Sequence, residues 1–389
     1  MSMVKLWLVG STDVRFRLPL LNALRERGFD AGAVGSESET AFAGTGIPYW
    51  RFSLNRWVSP WSDLRSRRQL YELFRAHRPD IVHAFDTKPA ILAPLAARDA
   101  GVPGTVATIT GLGYLFSSRS PLALSLRPVF RFLQRRAAAA TGVTIFQNPD
   151  DRAYFRRHRL VRPGRDALVL GSGIDFTPLQ VDGAAVGRLR RELSLEGRLV
   201  VTMISRLVAQ KGVRDFIDAA ALVRQQRPDS VFLLIGPASS EGRGAVSSRE
   251  VERSARDVRY LGPRSDVSVL LALSDLFVLP TYLREGIPRV LLEAAALGLP
   301  LVTTDTPGCK EIVRDGWNGL LVPPRDPRRL AAAVLRLLAS PDERALMGSR
   351  SRTHVTGNFS LEYVVRAYTE IYEHVLRETS ATVAARAVG

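Results

Sequence analysis

The feature that most restricts the fold is an alternation of short, continuously apolar runs with amphipathic helical stretches. "VKLWLVG" (4–10) leads into "RFRLPLLNALRERG" (15–28), and "DIVHAF" (80–85) precedes "KPAILAPLAARDAG" (88–101). "GTVATIT" (104–110) is followed, after a turn, by "PLALSLRPVFRFLQRRAAAA" (121–140) and then by "GVTIFQN" (142–148). Strands that are apolar at every position, not at every second one, are buried on both faces. That is the signature of a parallel sheet covered by helices on both sides, and it predicts a doubly wound α/β unit.

The pattern then begins again. "RLVVTMIS" (198–205), "VFLLIG" (231–236), "VRYLG" (258–262), "LFVLP" (276–280), "PLVTTD" (300–305) and "NGLLVPP" (318–324) read as strands, with helical stretches between most of them. The chain has 389 residues, more than one ordinary core holds. The Gly- and Asp-containing segment 171–187 is the best linker. The expected plan is two Rossmann-like domains, 1–175 and 176–360, facing across a cleft, with a C-terminal helix at 361–380 packing back on the first. In such sheets ligands bind beyond the carboxyl ends of the strands, so residues at strand tips carry the functional reading.

Composition narrows the classes. With 46% hydrophobic and 24% charged residues the chain reads as globular. Cys309 is its one cysteine, so no internal disulfide forms, which fits a reducing compartment. The N-terminal apolar run is short and reads as a strand, not a signal peptide. No apolar run approaches the ~20 residues that span a bilayer, so a soluble or one-sidedly attached protein is expected. The net charge is +16, and its distribution is uneven. Residues 1–172 hold 25 Lys and Arg against 13 Asp and Glu, and the remainder 29 against 25. Nucleic acid, anionic lipid and an acidic small molecule are all compatible partners. No nucleic-acid motif is present.

Three segments of the second half carry the chemistry. In "MISRLVAQKGV" (203–213), Arg206 and Lys211 lie between a strand end at Ser205 and the next helix, where an anion is already favoured. A solvated basic loop is the plain alternative. In "YLREGIPRVLLEAAALG" (282–298), Pro288 sets the helix start, so Glu285 sits in the preceding loop and Glu293 inside the helix. Gly286 permits close approach of a ligand, and the helix-start N–H groups can donate to phosphate. Glu293, among apolar neighbours, needs donors: either ribose hydroxyls or a nearby arginine. The third, "LGLPLVTTDTPGCKEIVRDGWNGLLVPP" (297–324), predicts strand, Gly-bearing loop, short helix, turn and strand. No Asp-x-Asp pair, the usual metal-bridging acid motif, occurs in the chain.

Taken together, Ser205-Arg206-Leu207…Lys211-Gly212, Glu285…Glu293 and "GLPLVTTDTPGCKEIVRDGWNGLLV" resemble the donor-binding half of GT-B glycosyltransferases of glycosyltransferase family 4. The resemblance implies that Arg206 and Lys211 bind the diphosphate of a UDP-sugar. It implies that Glu285, with the backbone of Gly286 and Ile287, contacts donor sugar and phosphates. Glu293 then holds the ribose, and Ser205 and Gly236 line the site. It implies a retaining reaction in which Arg206, Lys211 and Glu285 act catalytically, with no metal and no cofactor.

The first half resembles a narrower group within that family, the enzymes of bacterial O-antigen, capsule and lipid-linked oligosaccharide synthesis. The resembling segments are "GSTDVRFRLPLLNALRERG" (10–28), residues 78–103, "ITGLGYLF" (109–116), "FQNPDDRAYF" (146–155) and "GSGID" (171–175). The group implies an acceptor saccharide on undecaprenyl diphosphate and a cytoplasmic enzyme peripheral to the inner membrane. Arg17, Lys88, Thr110, Gly111 and Gly113 are the acceptor-side candidates, Lys88 meeting the acceptor diphosphate unless it is a solvated helix-start lysine. Leu122, Leu126, Val129, Phe130 and Leu133, interleaved with Arg127, Arg131, Arg135 and Arg136, suit an anionic bilayer or a core-packed helix with a basic face. Where many family members carry a functional His or Glu, this chain has Thr110, so no titratable group is expected there. His83 reads as a core histidine. A soluble acceptor, or a UDP-sugar epimerase of the same fold, are the competing activities.

Overall fold

The computed structural model describes residues 3–55, 59–118, 120–238, 244–253 and 256–388; for 114, 248 and 382–388 it describes the backbone alone. The side chain of Tyr114, in the "ITGLGYLF" segment, therefore lies outside the description. The chain divides into two units, Met1–Gly173 with Leu361–Gly389, and Ile174–Ser360.

Among the described residues the first unit holds seven strands: β1 Val4–Val9, β2 Phe29–Gly35, β3 Tyr49–Arg51, β4 Ile81–Phe85, β5 Gly104–Ile109, β6 Val143–Phe146 and β7 Asp166–Leu168. They form one parallel sheet in the order β3-β2-β1-β4-β5-β6-β7. Every residue of β4 and β5 is buried, as continuous apolar runs require. The apolar pattern does not announce β2. Its sequence, "FDAGAVG", is poor in strand-forming residues. Packing explains the small residues: a Cβ on Gly32 would run into the Trp50 ring, which stacks on Trp7 at 4.0 Å.

The stretch 15–28, expected to be one helix, begins as a 3-10 turn, Val14–Arg17, and becomes α-helical over Leu18–Glu26. The C-terminal helix runs Leu361–Val388, longer than 361–380. Val364, Val365, Tyr368, Tyr372 and Val375 are at most 3% exposed and share the core of β1, β2 and β4. Their spacing is one helical stripe. Each such side chain contributes roughly 1.5–3 kcal/mol by burial. His83 on β4 joins this core: its Nδ1 lies 2.7 Å from the Tyr372 hydroxyl and its Nε2 2.7 Å from Thr108 Oγ1. Burial, with the Arg17 charge, pushes His83 well below its ordinary value, so it is a neutral structural residue.

The second unit, among its described residues, contains β8 Leu199–Ile204, β9 Ser230–Ile235, β10 Val258–Tyr260, β11 Leu276–Leu279, β12 Leu301–Thr304 and β13 Gly319–Val322. These form a parallel sheet in the order β10-β9-β8-β11-β12-β13. Two expectations change here. The linker region 171–187 overlaps a helix, Gly183–Glu192, capped by Asp182, whose Oδ1 accepts from Ala184 N at 2.9 Å. The short helix expected after Gly308 is a run of turns over 307–312. Gly308 adopts φ +94°, and its N–H donates to Glu311 Oε2 at 2.6 Å, so the segment starts as a helix would but makes no regular helix.

Each sheet reverses its strand order once, between β1 and β4 and between β8 and β11. Those are the crevices where open α/β sheets hold ligands.

Candidate active site

The β8/β11 crevice brings two of the expected donor-side residues, Lys211 and Glu285, into contact. Lys211, in a 3-10 turn beyond β8, donates from Nζ to Glu285 Oε2 at 2.5 Å; the two side chains are 13% and 16% exposed. Glu285 is fixed from its other oxygen, with Thr281 Oγ1 3.0 Å from Oε1. The loop carrying it is sewn to β8's loop: Tyr282 N donates to Gln210 O at 2.9 Å, and Thr281 Oγ1 lies 3.1 Å from the same oxygen. Sequence reading missed Thr281, although it follows Pro280 at the strand tip.

The two cations expected on this loop are not equivalent. Lys211 is already paired. Arg206 is exposed and has no ion pair among the described residues. Ser205 lies beside it, its hydroxyl donating to the Arg206 carbonyl at 3.1 Å. Gly236 closes the neighbouring seam: at φ +136° a Cβ there would overlap the Ser205 carbonyl oxygen. Gly308 does the same for the Glu285 loop, its Cβ position being filled by the Gly286 carbonyl oxygen. These glycines let adjacent strand tips touch through backbone.

Gly286 is buried and Ile287 half-buried in the approach to the helix Arg289–Ala296. Pro288 occupies the N-cap, with no side-chain cap. The first N–H groups of this helix therefore lack a capping oxygen, which suits an anion. Glu293 is inside the helix, 16% exposed, and accepts from Arg289 Nε at 2.8 Å. Arg289 is 51% exposed, so this pair contributes little and leaves the carboxylate available for other donors. Cys309 is fully buried; burial and the Glu285 charge push its thiol up to about 12, so it stays protonated. Among the described residues no group of three or more His, Cys, Asp or Glu is placed to hold a metal ion.

The β1/β4 crevice of the first unit differs from expectation. Arg17 is turned inward, 7% exposed, with Nη1 3.6 Å from Asp13 Oδ1, Nη2 3.6 Å from Asp86 Oδ1, and its guanidinium carbon 4.2 Å above the Phe85 ring. Lys88 is paired with Asp63 at 2.5 Å and donates to the Asn55 carbonyl at 2.8 Å. Lys88, expected to meet the acceptor diphosphate, is thus neutralised by a carboxylate 25 residues away in sequence, and Arg17, the other acceptor-side cation, is met by one four residues away and one 69 residues away. Thr110 donates to Asp86 Oδ1 at 2.7 Å. A titratable group therefore does stand beside position 110: Asp86, the residue directly after β4, in left-handed backbone at φ +69°. The strand-tip rule that picked out Glu285 points equally to Asp86. Gly111, in the turn after β5, and Gly113, the first residue of the short helix Gly113–Ser117, adopt φ +113° and +54°; neither has a side chain to read further.

The helix Pro121–Ala139 resolves the question of its two faces. Phe130 is buried and Leu126 half-buried, whereas Leu122, Leu124, Val129, Phe132 and Leu133 are 39–57% exposed. The outer face is apolar. Arg127 and Arg131 are used locally, on the Leu115 and Ser118 carbonyls and the Tyr154 hydroxyl; Arg135 and Arg136 are exposed. No helix of the described residues is long and apolar enough to cross a membrane.

Residues 15–171 match the family described as glycosyl transferase 4-like domain, and residues 198–340 match glycosyl transferases group 1. A GDP-mannose-dependent alpha-(1-6)-phosphatidylinositol monomannoside mannosyltransferase of Mycolicibacterium smegmatis is 30% identical over 284 residues, covering 69% of this chain and 70% of that one. The UDP-Gal:alpha-D-GlcNAc-diphosphoundecaprenol alpha-1,3-galactosyltransferase of Escherichia coli is 29% identical, covering 82% of each chain. An N,N'-diacetylbacillosaminyl-diphospho-undecaprenol alpha-1,3-N-acetylgalactosaminyltransferase of Campylobacter jejuni is 25% identical over 95% of this chain and 97% of its own. In fold, the chain is similar to Anabaena Alr3699/HepE, solved in complex with UDP, at TM-score 0.78 and 20% identity, covering 96% of this chain and 100% of that one. With both crevices built as described, two parallel α/β sheets and these likenesses, the chain belongs to the GT-B glycosyltransferases of glycosyltransferase family 4.

Proposed function

We propose that this glycosyltransferase moves a hexose or N-acetylhexosamine from a UDP-sugar to a saccharide on undecaprenyl diphosphate, with retention at the anomeric carbon and without a metal. The observation that carries the reading is the Lys211–Glu285 pair at the β8/β11 crevice, beside the exposed Arg206 and an uncapped helix start. In transfer, the acceptor oxygen bonds to the anomeric carbon. The bond to the diphosphate breaks with its electron pair, and the acceptor proton passes to the leaving diphosphate. Negative charge grows on that diphosphate. Arg206, the remaining donors of Lys211 and the helix N–H groups are pre-placed to stabilise it, and such groups act most strongly when fixed before reaction. Glu285, held by Lys211 and Thr281, is oriented to accept hydroxyls of the donor sugar. Glu293 accepts the ribose hydroxyls, exchanging its weak contact with Arg289.

Two relatives name undecaprenyl-diphosphate acceptors, one of them with UDP-galactose as donor. This supports the acceptor class and the UDP reading, although the mycolicibacterial relative is named for GDP-mannose. The exposed apolar face of the helix Pro121–Ala139, with Arg135 and Arg136 beside it, suits a peripheral seat on an anionic bilayer, where such an acceptor resides. The test is UDP release from a panel of UDP-sugars in EDTA, with and without lipid-linked acceptor. Acceptor-dependent release that survives EDTA is expected. A strict divalent-metal requirement would overturn the metal-free mechanism. Release without acceptor would favour an epimerase or hydrolase.

A further inference from the structure

The β1/β4 crevice contains a polar network whose hydrogens can be counted. Ser11 Oγ lies 3.0 Å from Asp13 Oδ1 and 3.1 Å from Asp86 Oδ2. A hydroxyl has one hydrogen, so it donates to one carboxylate and turns a lone pair towards the other. Thr110 spends its hydrogen on Asp86 Oδ1. Arg17 stands 3.6 Å from each carboxylate, and its Nη1 donates to the Asp13 carbonyl at 3.2 Å. One arginine charge thus faces two carboxylates that are too close to ionise together without cost. A proton held between them lets Ser11 donate to one acid and accept from the other, and it brings the network to neutrality.

The proton belongs on Asp86. Its side chain is 21% exposed against 39% for Asp13. Burial raises Asp86, Arg17 opposes that, and the Asp13 charge adds to it, for a net upward shift. For Asp13, burial is outweighed by Arg17 and by bonds from Asp86 and Ser11, and the net shift is downward. On the inner side, Arg17 is faced by His83 and Tyr368, both neutral: burial lowers the first and raises the second. Lys88, two residues beyond Asp86, is taken by Asp63. No free cation of this network is left for a phosphate. One donor is left over, the buried Arg17 Nε–H, which has no partner among the described residues. That donor is closed to solvent, so what the network offers a ligand is the Asp13 carboxylate, 39% exposed: an acceptor for a neutral hydroxyl, with no unmatched cation for a diphosphate.

We infer that Asp13 and Asp86 hold one proton between them, and that Asp13 takes a hydrogen bond from a hydroxyl of the acceptor saccharide. The second half of this inference rests on the proposed glycosyl transfer to a lipid-linked saccharide; the first half does not. Asp13 is then a specificity-determining residue of the acceptor side, and Asp86, Arg17 and Ser11 are positioning residues that keep it ionised and aimed.

Infrared difference spectroscopy of the whole chain tests the shared proton without any substrate. The wild type should show the carbonyl band of a protonated carboxylic acid. The band should vanish in Asp86→Asn, and also in Asp13→Asn, where Asp86 faces Arg17 alone and ionises. Asn tolerates the left-handed backbone at position 86, so that variant keeps the fold. Absence of the band from the wild type, or its persistence in Asp13→Asn, overturns the sharing. For the hydroxyl contact the probe is a short-chain polyprenyl-diphosphate N-acetylglucosamine. Asp13→Asn should raise its KM roughly ten- to hundredfold, the loss of one hydrogen bond to a charged group, with the donor KM unchanged, and Asp86→Asn should raise it less. Equal acceptor KM in wild type and Asp13→Asn overturns the contact. Failure of the wild type to bind the probe at all overturns the acceptor reading and this contact with it, while the infrared band still decides the proton.

Discussion

Removing the Lys211 ammonium separates a structural role for its ion pair from a functional one. Lys211 and Glu285 are 2.5 Å apart, and both side chains are less than one-fifth exposed. Taking one partner from a fully buried pair costs about 3–5 kcal/mol; the residual exposure here brings the expected loss for Lys211→Met to about 2–3 kcal/mol. Thr281 keeps one hydrogen bond on Glu285, so the carboxylate is strained for a partner but not abandoned. Replacing both, as Lys211→Met with Glu285→Gln, removes the charge imbalance, and a neutral pair of similar volume should recover most of that stability. Turnover should behave differently. Lys211 is assigned to the charge that grows on the leaving diphosphate, so the single and the double variant should both fall roughly a hundredfold or more. Denaturant melts give the first quantity, and UDP release in the presence of acceptor gives the second. A double variant that regains wild-type turnover with its stability would refute the functional assignment and leave the pair as a clamp between two strand tips.

Glu293→Ala should weaken UDP binding by calorimetry roughly ten- to hundredfold, whereas Arg289→Ala should leave it unchanged; equal, small effects would make their ion pair the whole purpose of Glu293. Truncation before Leu361 removes five core side chains worth roughly 1.5–3 kcal/mol each, so the first unit should lose cooperative unfolding; a truncated chain that melts as the full one does would contradict the packing. His83 sits far below its ordinary 6.5 in the folded chain and regains that value when unfolded. The unfolded state then binds the extra proton, and stability should fall as pH drops below about 6.5, by up to about 1.4 kcal/mol per pH unit for this one group. A His83→Gln variant with the same slope as the wild type would exclude it. Phe132→Ser with Leu133→Ser should reduce co-flotation with vesicles containing anionic lipid at low salt; undiminished flotation would move the membrane contact elsewhere.

Much of the donor crevice was legible in the sequence because its signals are local. Pro288 fixes where the helix begins, and that alone puts Glu285 in the loop and Glu293 inside the helix. The apolar runs of β4, β5, β11 and β12 identify buried parallel strands for the same reason. The strand β2 was not legible, since its glycines and alanines answer to Trp7 and Trp50, which are remote in sequence. The destinations of Arg17 and Lys88 were hidden for the same cause. A cation at a strand tip looks available until the carboxylate that meets it is known, and Asp86 and Asp63 reach these sites only through the sheet and the helix Pro60–His77. The helix Pro121–Ala139 shows a third limit. Its sequence gives an apolar stripe and a basic one, but only the folded chain tells that Phe130 faces inward while Val129, Phe132 and Leu133 face out.

The most direct test of the account is product mass. A panel of UDP-sugars is incubated in EDTA with the short-chain polyprenyl-diphosphate N-acetylglucosamine probe, and the lipid fraction is read by mass spectrometry. The account predicts that one UDP-sugar adds a single hexosyl or N-acetylhexosaminyl unit to the lipid-linked saccharide, and that Lys211→Met abolishes the addition. A lipid fraction unchanged by every UDP-sugar, or extended only in a parallel incubation with GDP-mannose, would contradict it.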